Sequence, residues 1–485
     1  MTSKFEESFC NGSFWNVNLT WNSEHPDFTN CFQRTVIAWI PITVLVFFSL
    51  FEVPNYYSSK NPNRNIPWSV LNAIKLCSTA SLVMVNVAEL VVIIVTSSDD
   101  DPLTSVYPVD YVAASVFLTS YLLSLGVLIL ALKYGIRTSP AQFLFYLVSV
   151  LCEGVNFRSI VRRKTHPEEE ESFVPFSEDG TDILLCLVSI QYGLIIILFL
   201  SNFFSDKEPQ IYDETLKNVS NLSPEMSASF PSKLTFFWAT SLMWKGYKNP
   251  LEPSMLWSMN PKITSRGIVP LFDSCFNQEV EKANRKNPPE KNKDSDKNSI
   301  DKKEIRKARI SILWPLIKTF GPEFFIGSCH KVCYDLLVMA TPQIMSLMID
   351  FVETKYCDTT VKDNECNLED MENAYDWKGY FFAGLMLATT ICQSIILNQY
   401  FVRMFIVSMN IRTAMISAIY RKALVMSNSA RKESTVGEIV NLMSVDIQRF
   451  MVRRNTINVL CALKFILNVI RITANFNILT SYFRI

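Results

Sequence analysis

The sequence predicts an all-α polytopic membrane protein, and three observations carry that expectation. Of 485 residues, 49% are hydrophobic and 19% charged, with a formal net charge of +0. The apolar residues are bunched into seven runs, each near the length of about 20 residues that a helix needs to cross the hydrocarbon core. Lysine and arginine then sort by loop, as they do in chains threaded through a bilayer. Length alone would fit two or three soluble domains, but seven such runs leave little room for a soluble core. Neutral overall charge, with no basic stripe interleaved with aromatics, argues against nucleic acid. The first partner expected is the lipid bilayer.

Residues 1–34 form a polar N-terminal segment with the acids Glu6, Glu7, Glu24 and Asp27. That composition does not fit a cleavable signal peptide, so the first apolar run is expected to insert as a span. Two sequons, Asn11-Gly12-Ser13 and Asn18-Leu19-Thr20, lie beside Cys10 and Cys31. Together they predict an extracellular N-terminus, glycosylated at Asn11 and Asn18, with Cys10 and Cys31 placed to form a disulfide. The spans follow at 35–51, 70–96, 109–132, 140–157, 183–204, 320–349 and 378–402, with a weaker apolar stretch at 457–483. Asn86 and Glu89 share one face of the second span. An acid there is a functional candidate by default, and a packing role fits it equally.

Loop charges set the orientation. The loop 97–108 carries three aspartates and no base, and 351–377 carries eight acids against Lys355 and Lys362. Both read as outside, as do Cys357 and Cys366, a second pair placed to form a disulfide in the latter loop. Residues 403–454 carry nine bases against three acids, hence inside. One loop disagrees: Arg158, Arg162, Arg163 and Lys164 fall where alternation demands outside.

Between spans five and six, residues 205–310 read as a cytoplasmic linker in two parts. "SASFPSKLTFFWATSLMWKGYKNPLEPSMLW" (227–258) holds an amphipathic pattern starting at Pro231, with Phe236, Phe237, Leu242, Met243 and Trp244 against Lys233, Lys245 and Lys248. Aromatics with lysines predict a helix in the membrane interface; a small soluble helical hairpin is the alternative. Residues 280–309 are dense in charge and poor in apolar groups, as in a disordered linker.

From Phe381 to about Met426 no proline interrupts the last span. A continuous helix there would measure about 69 Å at ~1.5 Å per residue, against a hydrocarbon core of about 30 Å. The remainder must project as a stalk. Beyond it, "RKESTVGEIVNLMSVDIQRF" (431–450) places Thr435 and Glu438 as a T-x-x-E capping box. A short helix at the tip of a stalk suits docking on a partner. The three histidines, His25, His166 and His330, are far apart, so no metal site is expected, and no catalytic residue is assigned.

The wording from 428 to 451, with "YRKAL" (420–424), resembles the first intracellular loop of the multidrug resistance-associated proteins, the C subfamily of ABC transporters. "DWKGYFFAGL" (376–385), the 227–258 stretch and "NLTWNSEHPDFTNCFQRTVIAWIP" (18–41) are similar to further segments of that family. The resemblance covers about residues 10 to 451. It implies a five-helix N-terminal transmembrane domain (35–204), a lasso-like linker (205–310) and an incomplete ABC exporter transmembrane core (311–485). It also implies a coupling helix spanning Thr435, Val436, Gly437, Glu438, Ile439 and Val440, which in the family contacts a nucleotide-binding domain. Lys331, Tyr334, Leu397 and Arg449 match substrate-pocket positions in exporters of glutathione conjugates, with Tyr334 standing where relatives have histidine. Lys331 and Arg449 are cations suited to an anionic conjugate. Two alternatives stay open: Lys331 paired with Asp335 one turn on, and Leu397 as plain packing. Residence in the plasma membrane, or a vacuolar or lysosomal membrane, follows from the resemblance.

ATP-driven transport needs G-x-x-x-x-G-K-[ST] to cradle phosphates. None of the thirteen glycines is followed by lysine. ATP and magnesium are therefore expected in the complete family member and not on this chain, whose missing partners are nucleotide-binding domains. After Met451 the family pattern stops: Thr456 takes the place of an expected tyrosine, and Lys464, Arg471 and several asparagines interrupt the last apolar stretch. A truncated or frameshifted product, or an alternative terminus, is expected, inactive by itself. The alternatives from other classes are a seven-span G-protein-coupled receptor and a regulatory or trafficking membrane subunit.

Overall fold

The computed structural model of the protein describes residues 9–10, 12–57, 65–98, 107–165, 178–207, 223–260, 263–286, 312–355, 375–426 and 436–448. Asn11, Cys357, Cys366, Thr435, Arg449, Thr456, most of the charged stretch 280–309 and everything from residue 449 onward lie outside them. The described residues are helical with no β-strand, and seven helices among them are long and apolar enough to cross a membrane. The chain divides into two compact units, one of residues 1–258 with 354–377 and the other of 259–353 with 378–485. That division cuts the 205–310 stretch at residue 258.

The first unit holds α1 (Ala38–Tyr57), α2 (Val70–Ser98), α3 (Pro108–Lys133), α4 (Pro140–Thr165) and α5 (Glu178–Ser201). Helical turns from Asn30 onward, including a π-helical turn at Gln33–Ile37, lead directly into α1. The five pack as a closed ring in the order α1, α3, α2, α5, α4 and back to α1. Every helix contributes to one core: Leu45, Leu82, Phe117 and Tyr121, Phe145 and Tyr146, and Ile195 and Leu198. Outside the ring the side chains stay apolar, with Phe47, Leu50, Phe51, Met84, Val91, Leu122, Ile129 and Leu151 exposed. That inversion is what a lipid solvent asks for, since backbone polarity is satisfied within each helix.

Polar ties fasten the two ends of the ring. At one end Glu52 of α1 accepts from Ser139 Oγ and the Ala141 amide, both at 3.0 Å, so a carboxylate caps the start of α4. There too Lys75 pairs with Asp206 at 3.1 Å, and Arg137 Nε donates to the Asp206 carbonyl at 3.0 Å. At the other end the N-terminal segment folds over α4. Cys10 and Cys31 are joined by a disulfide, and Phe14, Trp15, Phe28 and Phe32 stack together beside it. Gln33 donates to Asp27 at 3.0 Å and to Ser159 of α4 at 3.1 Å, and Ser159 donates to Asp27 at 2.7 Å. Arg158 and Arg162, the bases that disagreed with the loop-charge alternation, donate to the carbonyls of Pro26 and His25. These bonds fasten the end of α4 to the backbone of the N-terminal segment.

The amphipathic stretch after the ring is not one helix. It forms Phe230–Thr235, a 3-10 turn at Phe237–Ala239 and α6 (Thr240–Lys248). The break is Phe236, whose φ of 58° puts a bulky residue in the left-handed region. Phe230 packs on Phe143 of α4, with ring centroids 5.6 Å apart, while Phe237, Met243, Trp244 and Tyr247 stay exposed.

In the second unit lie α7 (Ser265–Lys286), α8 (Leu313–Lys355), α9 (Asp376–Val425) and α10 (Val436–Asn441). Helix α7 corrects the expectation of disorder at the start of 280–309: residues 280–286 complete its last turns, where Lys282 pairs with Glu279 at 2.7 Å. The charges that suggested a disordered chain form the exposed side of an amphipathic helix. Its other side seats Ile268 and Phe272 on Leu316, Phe320, Val407, Ile411 and Ala414 of α8 and α9.

Candidate functional site

Helices α8 and α9 carry the residues expected to line a pocket. Three prolines, Pro315, Pro322 and Pro342, sit within α8, which membrane helices tolerate better than soluble ones. At Gly327 the end of the Met404 side chain occupies the space a Cβ would take, so α8 and α9 touch there through a flexible thioether. Gln393 of α9 donates to the Leu337 carbonyl at 2.9 Å and to Thr341 Oγ1 at 2.7 Å. These bonds lock the register of the pair.

Lys331 reaches one turn along α8 to Asp335, with Nζ 2.5 Å from Oδ1. Its ammonium also lies 4.6 Å from the centroid of the Tyr334 ring, within cation–π range. Asp335 is buried, and its second oxygen, Oδ2, has no hydrogen-bond partner. The pairing considered for Lys331 is thus the one formed. An arriving anion would have to share this ammonium with Asp335 and the ring, and the lysine side chain is still 19% exposed. Leu397 is half-buried on α9. Arg449 lies outside the described residues, so the structure brings together Lys331 and Tyr334, and places Leu397 without joining it to them.

At the far end of α9, α10 continues through a π-helical turn at Leu442–Asp446. Val436, Gly437, Glu438 and Val440 are exposed and Ile439 half-buried. Val436 and Val440, four apart, present an apolar pair to solvent. The helical segment continues past Asp446 through residue 448.

Toward the N-terminus, Asn18 is exposed on the short helix Val17–Thr20, beside the buried Thr20 of its sequon. Glu89 of the second span is buried and pairs with Arg34 at 3.7 Å, while Asn86 bonds the Leu82 carbonyl at 2.8 Å.

Helix α7 was not anticipated from the residue pattern, although Ile268, Phe272 and Phe276 recur every four residues. It meets the stalk through a two-pronged pair, in which Arg421 donates to both Asp273 oxygens at 2.5 Å. Lys318 Nζ adds a bond to Gln278 at 3.0 Å.

Residues 9–174 match the ABC transporter TMD0 domain and residues 324–457 match the ABC transporter transmembrane region. The chain is 32% identical over 448 residues to human ATP-binding cassette sub-family C member 3, covering 90% of this chain and 27% of that protein. To rat ATP-binding cassette sub-family C member 2 it is 28% identical over 470 residues, covering 92% of this chain and 28% of the relative. The chain thus spans little more than a quarter of the length of these relatives.

Proposed function

From the premise that this chain belongs to the multidrug resistance-associated C subfamily of ABC transporters, as their N-terminal membrane portion, we propose that it serves an ATP-driven exporter of organic anions and glutathione conjugates. The observation that carries the proposal is α9. Its 50 residues measure about 75 Å at ~1.5 Å per residue, more than twice the hydrocarbon core of about 30 Å. A helix that long delivers α10 well clear of the bilayer, where a soluble motor domain can push on it.

On this reading Lys331 and Tyr334, with Leu397 and Arg449, receive the anionic conjugate. Asp335 holds the Lys331 ammonium in place until an anion competes for it, so the charge is available without being free. Val436 and Val440 supply the apolar contact of a coupling helix whose sequence carries the T-x-x-E pattern at Thr435 and Glu438. Asn11 and Asn18 would carry glycans on an outward-facing N-terminus, Cys357 and Cys366 would close the acidic loop, and the chain would reside in the plasma membrane or a vacuolar or lysosomal membrane. ATP and magnesium do not fit these residues, because no glycine here is followed by the lysine of a phosphate cradle. Nucleotide chemistry is assigned to nucleotide-binding domains outside these 485 residues.

The test is vesicle uptake of a fluorescent glutathione conjugate. ATP-dependent uptake is expected when the chain is co-expressed with a complementary portion carrying two nucleotide-binding domains, and none from the chain alone. Lys331→Met should raise KM about tenfold, the loss of about 1.4 kcal/mol. Uptake by the chain alone, or a KM unmoved by that change, would overturn the assignment.

A further inference from the structure

Helix α8 carries a pair of thiols that the transport reading does not use. Cys329 and Cys333 stand four residues apart, and both are free and exposed. Among the twelve cysteines of the chain, no other two lie within one helical turn of each other in sequence. A single cysteine inside a span packs as a small apolar residue, so the spacing is what sets these two apart. Residues four apart share one face of a helix, with Cβ atoms about 5–6 Å from each other. Lys331 is two residues from each thiol, which at about 100° per residue puts it on the other side of α8, where Asp335 engages it. The face that bears the thiols is uncovered: Phe325 is 69% exposed, and Ile326 and Leu336 are each 43% exposed.

Geometry separates the kinds of chemistry that use two thiols on one face. A direct disulfide brings its Cβ atoms to about 3.5–4.5 Å, closer than the face of an intact helix allows, and α8 is continuous from Leu313 to Lys355. A structural metal such as zinc takes four ligands, yet among the described residues no three of His, Cys, Asp and Glu converge to hold an ion. His330, next to Cys329 in sequence, turns its Nδ1 to the Ile326 carbonyl at 2.7 Å. Copper(I) held by two thiolates keeps a negative charge, which is costly inside a bilayer. The pair therefore suits a centre that needs two sulfurs only, bridges the gap between them and is neutral when bound. A monosubstituted arsenic(III) compound meets all three conditions. Its organic group fills one position of the pyramidal arsenic, and two As–S bonds complete the others.

We propose that Cys329 and Cys333 form a dithiol site on the uncovered face of α8 that captures monosubstituted arsenic(III) compounds. Two S–H bonds and the As=O bond break, two As–S bonds form, and one water leaves with both thiol protons. Arsenic stays trivalent, so no oxidant or reductant is needed. The bridge staples the helical turn from 329 to 333 and leaves the Lys331–Asp335 pair on the opposite side untouched.

The test exposes the 485-residue chain in lipid nanodiscs to phenylarsine oxide. Peptide mapping by mass spectrometry locates the adduct, and N-ethylmaleimide counts the remaining free thiols. One phenylarsenic group per chain is expected on the peptide that holds both cysteines, with both thiols shielded from the maleimide. Ethanedithiol should release it, and mercaptoethanol at equal thiol concentration should not. Cys329→Ser and Cys333→Ser should each lose the adduct, whereas Cys392→Ser, which removes an exposed thiol of α9, should keep it. Shielding in the wild type decides the matter even if a serine variant fails to fold. An adduct that survives either serine change, that mercaptoethanol removes, or that maps to other cysteines would overturn the proposal. So would two thiols that alkylate freely in the presence of the arsenical, or that resist both reagents, since the face would then be covered.

Discussion

In the N-terminal ring each helix has two helical neighbours, and 44% of the membrane-spanning window of α3 is buried against them; in the second unit the windows of α8 and α9 are buried by only 11% and 6%. Both regions are built of apolar helices of similar composition. What separates them is where their polar groups go. The ring ties its polar side chains across helices, through Glu52 to α4, Lys75 to Asp206 and Arg34 to Glu89 and Asp110. On α8 the chief ion pair, Lys331 with Asp335, stays within one helix, and Asp335 keeps an orphaned oxygen. The ring closes its charged groups between helices, although Asn86, Ser149 and Gln191 keep buried oxygens without a hydrogen bond, whereas α8 and α9 leave most of their apolar surface uncovered. Closure of that kind belongs to a scaffold, and openness to a site that must accept a ligand.

The largest expected effect that could break this contrast is in the core. Phe145 is fully buried at the centre of the ring, and Phe405 on α9 is 69% exposed. Phe145→Ala should destabilise the ring by about 3–5 kcal/mol, and Phe405→Ala should stay within about 0.5 kcal/mol. Thermal unfolding in one detergent, followed by tryptophan fluorescence, compares them directly. Equal losses would mean that α9 is as enclosed as the ring.

A comparison of arginines sharpens the same point at lower amplitude. Arg34→Met strands Glu89 and Asp110 in an apolar interior, and removing one partner of a buried pair costs about 3 kcal/mol. Arg421 makes the better hydrogen bonds, both at 2.5 Å to Asp273, yet its side chain is 48% exposed. Solvent screening limits such a pair to about 1 kcal/mol or less. Chemical denaturation of the two variants should rank them in that order, against the ranking of bond lengths. Geometry alone would predict the reverse.

Much of the ring was legible in the residues. Runs of apolar side chains about 20 long announce spans because the bilayer imposes one length, and the stalk followed from the absence of proline after Phe381. Two things were illegible for one physical reason: the signal was local and its meaning was not. Arg158 and Arg162 read as loop charges, and nothing in their spacing reveals that they donate to carbonyls of the N-terminal segment. The charges at 280–286 look like disordered chain until Ile268 and Phe272 are seen seated on α8 and α9. Lys331 shows the converse, since its partner four residues away was readable from helical spacing. Arg449, matched to the same pocket, lies outside the described residues. Arg34 had no flag at all, standing at the edge of a polar segment where a base attracts no notice.

The smallest effect expected is a matter of sign. Asp206 follows α5 and lies outside the spans. Burial raises its carboxyl above the usual value of 3.8 in spite of Lys75 and Arg137, which pull it down. The folded protein then holds that proton more tightly than the unfolded chain. Its contribution is fully present below the unfolded value of 3.8 and is lost as pH rises through the folded value. This residue therefore adds stability as pH falls from neutrality toward 4, the reverse of an exposed, salt-bridged aspartate. The wild type should show an upward term in its unfolding midpoint over that window, about 3 °C or less, which Asp206→Asn abolishes. A term of opposite sign would mean that the Lys75 pairing outweighs desolvation, and that this end of the ring is wetter than its interior.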